Sequence, residues 1–272
     1  MSVRAGADSR RSLSDAQVEL AAAQLEEAER LRVAIAPLSD SFSGITVDDA
    51  YRIQVLNAER RLEHGAKLKG HKVGLTAKAM QDLFGVFEPD YGQLFDDMFV
   101  LENQPVPVER FIAPRVEIES AFILSRRLEG PGITTGDAIR AIEWVLPSIE
   151  IIDSRIESWR IRLADTVADN GSSAAVVLGG HPMRLPDLDL RDLSAEMLID
   201  GHTVEEGNTS AVLGNPINAL VWLANTLGAA GVALEEGHVV LPGTCVRAVP
   251  VSKGTTVTGR FRSLGDVSVE FV

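Results

Sequence analysis

The chain has 272 residues, 45% of them hydrophobic, which is enough to form a sizeable core. Its formal net charge of −13 argues against nucleic acid and anionic membrane surfaces as partners. Cys245 is the single cysteine, so no intrachain disulfide can form, and no apolar run reaches the length of about 18 residues that a membrane span needs. We therefore expect a cytoplasmic protein.

The N-terminal part of the chain has the pattern of helices. Residues 1–12 are mostly polar, and we predict that they form a disordered tail. Ser14 and Thr46 are typical N-cap residues, and each precedes a stretch rich in helix formers. We predict two helices, which together make an N-terminal lobe over residues 13–66.

From residue 67 onward, short apolar stretches alternate with Gly, Pro and Asp turns, which predicts a mostly β core over residues 67–272. Asp200-Gly201 between two apolar runs indicates a hairpin. Asn215-Pro216 leads into a further helix, and the C-terminus has three more strand patterns. Because no repeat or linker interrupts this order, we predict a single domain over residues 13–272, of the α+β class.

One strand pattern, Arg115–Leu124, carries carboxylates where a buried strand should be apolar. Successive strand residues point to opposite faces, so Glu117 and Glu119 project from the same face, about 7 Å apart. A second apolar strand pattern, Pro147–Asp153, also contains a glutamate, Glu150. Carboxylates this close repel each other unless a cation or a proton lies between them. The pattern favours an oxygen-lined site for a hard divalent cation, Mg²⁺ or Mn²⁺.

An alternating Glu-x-Glu pattern is also typical of the solvent-facing side of a half-exposed sheet. The apolar context after Glu119 and around Glu150 favours burial instead, and glutamates are rarely buried unless they are paired or bound to metal. The histidines show no metal-binding spacing, so we do not expect a zinc site.

Several segments in order resemble the 2-oxopent-4-enoate (2-hydroxypenta-2,4-dienoate) hydratase family, which belongs to the fumarylacetoacetate-hydrolase fold superfamily. They are Lys69–Thr76, Glu88–Gly92, Pro114–Glu119, Pro147–Ile156 with Trp159, and Asp165–Asn170. The resemblance extends from the N-terminal helices to the last strand. It implies a β-rich mixed-sheet roll flanked by N-terminal helices, with residues 13–272 as one catalytic domain.

The resemblance also assigns roles to individual residues. It implies that Glu117, Glu119 and Glu150 bind the metal, and that Lys72 and Asp90 are the catalytic acid/base groups. From the residues alone, Lys72 could equally be a solvated lysine, and Asp90 could belong to an ordinary turn. A lysine that is partly buried beside a cation should favour its neutral form, and a nearby aspartate should oppose this, so the two groups should titrate together.

Three further residues are candidates for substrate binding: Arg115, Asp165 and Thr244. Arg115 would neutralise an anionic substrate or the acidic cluster. Asp165 could line the site, or it could hydrogen-bond a polar loop. The resemblance implies that Thr244 lies in a substrate-contacting loop.

The implied reaction is hydration of a small anionic 2-hydroxydienoate to a 4-hydroxy-2-oxo acid in meta-cleavage degradation of aromatic compounds. The alternatives are a 4-oxalocrotonate decarboxylase, a 2-oxohept-4-ene-1,7-dioate hydratase and a non-catalytic binding module on the same fold. The resemblance further implies a homo-oligomer that can associate with a decarboxylase of the same pathway.

Overall fold

The computed structural model describes residues 12–78, 81–82, 85 and 87–272. Residues 1–11 of the predicted tail lie outside the described residues. Ser12, the last residue of that predicted tail, is held in place, because its backbone N–H and its hydroxyl both donate to the Asp49 carboxylate at 3.0 Å. Ser12 is therefore bound to the N-terminal helical lobe through Asp49.

Six α-helices occur in the described residues, and local capping explains where several of them begin. Ser14, Thr46 and Thr134 each accept a hydrogen bond from the backbone of the first helical turn, and Asn215 does so for the last helix. The helices are α1 Asp15–Leu31, α2 Leu38–Ser41, α3 Val47–Glu63, α4 Thr135–Ala141, α5 Leu163–Ala168 and α6 Pro216–Ala229. The predicted helices after Ser14, Thr46 and Asn215 are confirmed.

Twelve strands form two sheets in the described part of the chain. The strands are β1 Leu68–Gly74, β2 Asp90–Phe95, β3 Phe99–Val100, β4 Arg115–Leu124, β5 Ile142–Ile152, β6 Ser173–Leu178, β7 Ser194–Ile199, β8 His202–Asn208, β9 Val239–Leu241, β10 Val249–Pro250, β11 Thr256–Phe261 and β12 Gly265–Glu270. The larger sheet has the order β2-β1-β9-β4-β5-β6-β3, with β10 beside β4, and the smaller has the order β12-β11-β7-β8.

The larger sheet is mixed, because β1 pairs parallel to β9 and β3 parallel to β6, whereas β4, β5 and β6 pair antiparallel. The smaller sheet contacts it through β11 and β12, which lie against β5. Their shared core includes Ile118, Ile149 and Phe261. The predicted α+β class with a mixed, curled sheet is confirmed, as is the hairpin at Asp200-Gly201, which joins β7 to β8.

The N-terminal helices pack on one another and on α5. Leu25, Ile53 and Val167 are buried in this second core. Contact between α3 and α5 therefore brings the N-terminal helices next to the segment that follows β5. Among the described residues, no helix is both long enough and apolar enough to cross a membrane.

Asp49→Asn is expected to destabilise the fold by about 1–3 kcal/mol, because the buried carboxylate joins Ser12, Thr46 and Arg52. Burial favours the protonated form, but the hydrogen bonds from Ser12 and Thr46 outweigh it and lower the pKa of Asp49 well below its usual range. This stabilisation is therefore complete at neutral pH and is lost only in strong acid. Urea denaturation at pH 7 measures it, with Asp48→Asn as the control, and equal effects of the two variants would contradict this role.

Candidate active site

Three glutamates meet on the β4–β5 pair. The antiparallel register places Glu117 directly opposite Glu150, and Glu119 lies two residues further along β4, opposite Ser148. One carboxylate oxygen from each glutamate lies within 4.8 Å of the other two. Glu119 and Glu150 are fully buried. Like charges in directly opposed positions destabilise a sheet, so this arrangement requires a compensating group.

The glutamate cluster has the chemistry of a divalent-cation site. Both Glu150 oxygens are buried without a hydrogen-bond partner among the described residues. Glu119 Oε2 accepts a hydrogen bond from the backbone N–H of Gly243 at 2.6 Å. Burial, followed by the charge of Glu150, raises the pKa of Glu117 to about 7 and also raises the pKa of Glu119. Carboxylate oxygens without a Cys or His ligand suit Mg²⁺ or a similarly hard cation.

Lys72 and Asp90 lie beside the glutamates, on the neighbouring strands β1 and β2. Lys72 Nζ is 3.9 Å from Glu150 Oε1, and both side chains are buried. Burial disfavours the ammonium, but the charges of Glu150, Asp90 and Glu117 outweigh it and raise the pKa of Lys72. In the metal-free protein the surrounding carboxylates therefore favour the ammonium form of Lys72. The neutral amine that we expect beside a bound cation stays a prediction.

Asp90 is the second buried group of this pair. Burial raises the pKa of Asp90, while the charge of Lys72 opposes the increase. Gly74 makes the approach of the two side chains possible. A Cβ atom on Gly74 would lie 2.1 Å from Asp90 Oδ1 and 3.2 Å from Lys72 Nζ. A glycine is therefore required at position 74 for Asp90 and Lys72 to share one site.

A cavity of about 1160 Å³ opens onto these groups. Lys72, Asp90 and Glu117 line it, and Glu119 and Glu150 are buried next to Glu117. The cavity is bounded on another side by the loop before α3 and by the segment from Ser158 to Thr166. Its volume is ample for a small organic acid.

A smaller cavity of about 280 Å³ lies between α1, α3 and β2. Its charged side chains are paired with each other: Arg60 with Glu26, Arg61 with Glu29 and Arg155 with Asp169. None of the three glutamates of the cluster lines it. We therefore assign the chemistry to the larger cavity.

Two of the three predicted substrate-binding residues line the larger cavity. The Arg115 guanidinium lies 4.5 Å from the Trp159 ring centre and has no ion-pair partner among the described residues. The Thr244 hydroxyl lies within 3.2 Å of the Ile118 carbonyl oxygen, to which it donates a hydrogen bond. Arg115 is thus the freer of the two to bind an anion.

Asp165 lies elsewhere. Its carboxylate is fully buried and accepts hydrogen bonds from the backbone N–H and hydroxyl of Ser39 and from the backbone N–H of Arg162. It does not line the larger cavity. Asp165 therefore has the structural role that we gave as the alternative, and it joins α2 to the start of α5. The geometry does not support the substrate contact that we predicted.

Sequence reasoning missed two contributors to this site. The Gly243 N–H donates a hydrogen bond to the Glu119 carboxylate, and Ser172 lines the cavity next to Gly171. Gly243 contributes a backbone group, for which its residue type gives no signal. Ser172 follows the Asp165–Asn170 segment by two residues, so extending that segment would have found it.

The metal-free protein is expected to lose stability as the pH rises from about 5 through 7. The pKa of Glu117 is raised from 4.5 to about 7 in the folded state, so the folded protein holds more protons than the unfolded chain in this window. Raising the pH therefore favours unfolding, whereas bound Mg²⁺ should remove this penalty. Calorimetry with chelator and with Mg²⁺ from pH 5 to 8 measures the slope. A slope in Glu117→Gln as steep as that of the wild type would contradict this origin.

Several known proteins of similar sequence are named hydratases. The chain is 42% identical to a 2-oxo-hept-4-ene-1,7-dioate hydratase of Escherichia coli, over 93% of this chain and 97% of that protein. It is 44% identical to 2-keto-4-pentenoate hydratase 1 of Dechloromonas aromatica, over 93% of this chain and 96% of that protein.

A solved structure of similar fold is 4-oxalocrotonate decarboxylase from Pseudomonas putida G7, complexed with magnesium and adipate. The TM-score is 0.93 at 36% identity, covering 97% of this chain and 100% of that one. Residues 64–272 match the model of the fumarylacetoacetate (FAA) hydrolase C-terminal family. This match covers the strands that carry all three glutamates, Lys72 and Asp90, and the chain belongs to the fumarylacetoacetate hydrolase family.

Proposed function

We propose that the protein is a hydro-lyase that adds water to 2-hydroxypenta-2,4-dienoate, a tautomer of 2-keto-4-pentenoate, or to a close analogue. The product is a 4-hydroxy-2-oxo acid. The observation that carries the proposal is the placement of Lys72 and Asp90 beside three closely spaced glutamates, two of them fully buried, at one cavity. Relatives at 40–44% identity that are named 2-keto-4-pentenoate hydratase support it.

Glu117, Glu119 and Glu150 would hold Mg²⁺ or Mn²⁺, because they offer closely spaced carboxylate oxygens and no softer ligand. A bound divalent cation would supply Lewis-acid polarisation of the oxygen at C2 of the substrate. The Gly243 N–H fixes one Glu119 oxygen, so this side chain is oriented before a cation binds.

Lys72 and Asp90 would move the protons. Ketonisation takes the proton of the C2 hydroxyl and delivers a proton to C5, which leaves a C3=C4 double bond conjugated with the C2 ketone. Addition of water at C4 then needs a proton at C3. Both transfers require a group that can accept and donate a proton close to the reacting atoms. Lys72 and Asp90 are buried neighbours at the cavity wall and oppose each other's charge, which suits this exchange.

Arg115 would attract the substrate. A protein with a net charge of −13 repels a free anion, so binding requires local positive charge. The Arg115 guanidinium lies on the cavity wall, two residues before Glu117, and Trp159 supports it by a cation–π contact. Thr244 would contribute to the wall of the same cavity.

Two related reactions remain as second candidates, and each has an observation in its favour. The TM-score of 0.93 to a 4-oxalocrotonate decarboxylase favours decarboxylation. The 42% identity to a dioate hydratase and the size of the cavity favour a longer diacid as the hydration substrate. A binding module without turnover is disfavoured by the buried Lys72 and Asp90, which a purely binding site would not need.

The test is incubation of the purified enzyme and Mg²⁺ with the dienoate and, separately, with 4-oxalocrotonate. We expect loss of the dienoate ultraviolet absorbance, formation of the 4-hydroxy-2-oxo acid and no release of CO₂. CO₂ release from the oxalocrotonate without hydration of the dienoate would replace the proposal by the decarboxylase alternative. Absence of turnover with both substrates would favour the alternative of a non-catalytic binding module.

The proposal extends to assembly and location. We propose a cytoplasmic homo-oligomer that can associate with a decarboxylase supplying its substrate. The free, half-buried Cys245 fits a reducing compartment. Light scattering at micromolar concentration tests the assembly, and a monomer would contradict it.

A further inference from the structure

The turn between α5 and β6 has an unusual backbone. Asn170, Gly171 and Ser172 have consecutive φ values of +55°, +61° and +58°. This left-handed region is unfavourable for residues other than glycine. The turn lies against the catalytic lysine, because a Cβ atom on Gly171 would lie 2.8 Å from Cε of Lys72. The strained turn thus forms the wall of the cavity beside Lys72.

Contacts on both sides hold the turn in this conformation. Asp169 forms a buried ion pair with Arg155. The Asn170 side chain accepts from the Gln93 N–H at 2.7 Å and donates to the Gln93 carbonyl at 2.9 Å. The Ser172 carbonyl accepts from the Asp153 N–H at 2.8 Å. Strain that is held by so many partners is characteristic of functional sites, where it places a particular group.

The group that this turn places is the Ser172 hydroxyl. Its Oγ lies 3.3 Å from Thr166 Oγ1, and both residues are buried and line the cavity. Neither hydroxyl forms another hydrogen bond within the described residues. The hydrogen bond between the two hydroxyls uses the O–H of one and a lone pair of the other. The second O–H and the remaining lone pairs are left for a molecule in the cavity.

We propose that the Thr166–Ser172 hydroxyl pair binds the water molecule that adds to C4 of the substrate. This inference rests on the proposed hydration. One hydrogen of the attacking water would pass to the Lys72–Asp90 pair as a proton, so the other hydrogen needs a separate acceptor. The Arg115 guanidinium offers only donors, and the three glutamates would hold the cation. The hydroxyl pair supplies uncharged acceptors on the same wall as Lys72.

The step balances with water as the only added reactant. A lone pair of the water oxygen forms the new bond to C4, and the C3=C4 π pair moves to make the C2–C3 enolate. The water loses one proton to the Lys72–Asp90 pair, which returns a proton to C3. The product carries the new hydroxyl at C4, and the Thr166–Ser172 pair can still form a hydrogen bond to this hydroxyl.

Two variants remove one hydroxyl each. Thr166→Val keeps the side-chain volume, and Ser172→Gly also suits the left-handed backbone. The enzyme with Mg²⁺ is given the dienoate in D₂O, and three quantities are measured: deuterium incorporation at C5, the ratio of hydrated product to unsaturated keto acid, and the enantiomeric excess at C4. We expect hydration to fall about 10–100-fold, which corresponds to the loss of a hydrogen bond at the reacting centre. Incorporation at C5 should stay within about twofold of wild type, and the enantiomeric excess at C4 should fall.

Thr166→Ser is the matched control, because it retains the hydroxyl, and it should keep both the product ratio and the stereochemistry. Hydration at the wild-type rate in both hydroxyl-free variants would overturn this proposal alone. An equal fall in deuterium incorporation at C5 and in hydration would also overturn it. A rise in KM without a change in the product ratio would do the same. Wild-type enzyme that forms neither product would overturn the proposed function itself.

Discussion

Lys72→Met is expected to keep both metal and substrate binding and to lower kcat by a factor on the order of 10²–10⁴, the usual contribution of a positioned acid/base. Methionine retains much of the side-chain volume but cannot carry a proton. Lys72 Nζ is 3.9 Å from Glu150, so removing its charge takes a competing cation away from the metal ligands. Metal affinity should therefore hold or rise. Steady-state kinetics and calorimetric titration with Mg²⁺ measure the two effects separately.

Lys72→Arg separates charge from proton transfer, since arginine keeps the charge but does not release its proton near neutral pH. It should be as inactive as Lys72→Met. Lys253→Met is the matched control, because its side chain is 72% exposed and lies outside the cavity. Deuterium exchange at C3 and C5 that continues at the wild-type rate in Lys72→Met would remove this lysine from the mechanism.

Glu150→Gln is expected to abolish tight metal binding and with it turnover. The variant replaces a buried carboxylate whose two oxygens have no hydrogen-bond partner among the described residues. It also removes a charge directly opposite Glu117, so the metal-free variant should be more stable than the metal-free wild type. Thermal unfolding with chelator and with Mg²⁺ measures both effects. With chelator, we expect Glu150→Gln to have a higher melting temperature than the wild type. Adding Mg²⁺ should not raise the melting temperature of the variant further.

Glu129→Gln serves as the control, because Glu129 is exposed and does not belong to the glutamate cluster. It should respond to Mg²⁺ as the wild type does. If Glu150→Gln still gains stability with Mg²⁺ and turns over normally, the three glutamates do not form the metal site.

Local signals in the sequence predicted much of the secondary structure. Ser14 and Thr46 predicted helices because capping depends on residues within one turn. The two-residue spacing of Glu117 and Glu119 placed both on one face of β4, because side-chain direction alternates along any strand. These inferences need only neighbouring residues. The short strand β10 was missed because its two residues pair only with the distant strand β4.

Features that depend on distant parts of the chain could not be predicted in this way. The contact of Glu150 with Glu117 depends on the register between β4 and β5. Asp165 bonds Ser39, which is 126 positions away along the chain, so no local pattern reveals its structural role. The charge of Lys72 depends on carboxylates from β2, β4 and β5, and their combined effect opposes that of burial.

The most direct test of the metal-dependent hydratase site is the fate of labelled water. Chelated enzyme is incubated with the dienoate in H₂¹⁸O, with and without added Mg²⁺, and the label is located in the product by the isotope shift of its carbon resonances. The C2 ketone exchanges its oxygen with water unaided, so only C4 is informative. We predict ¹⁸O at C4 when Mg²⁺ is present and little or none when it is absent. Equal labelling at C4 without metal, or no labelling at C4 with metal, would contradict the account.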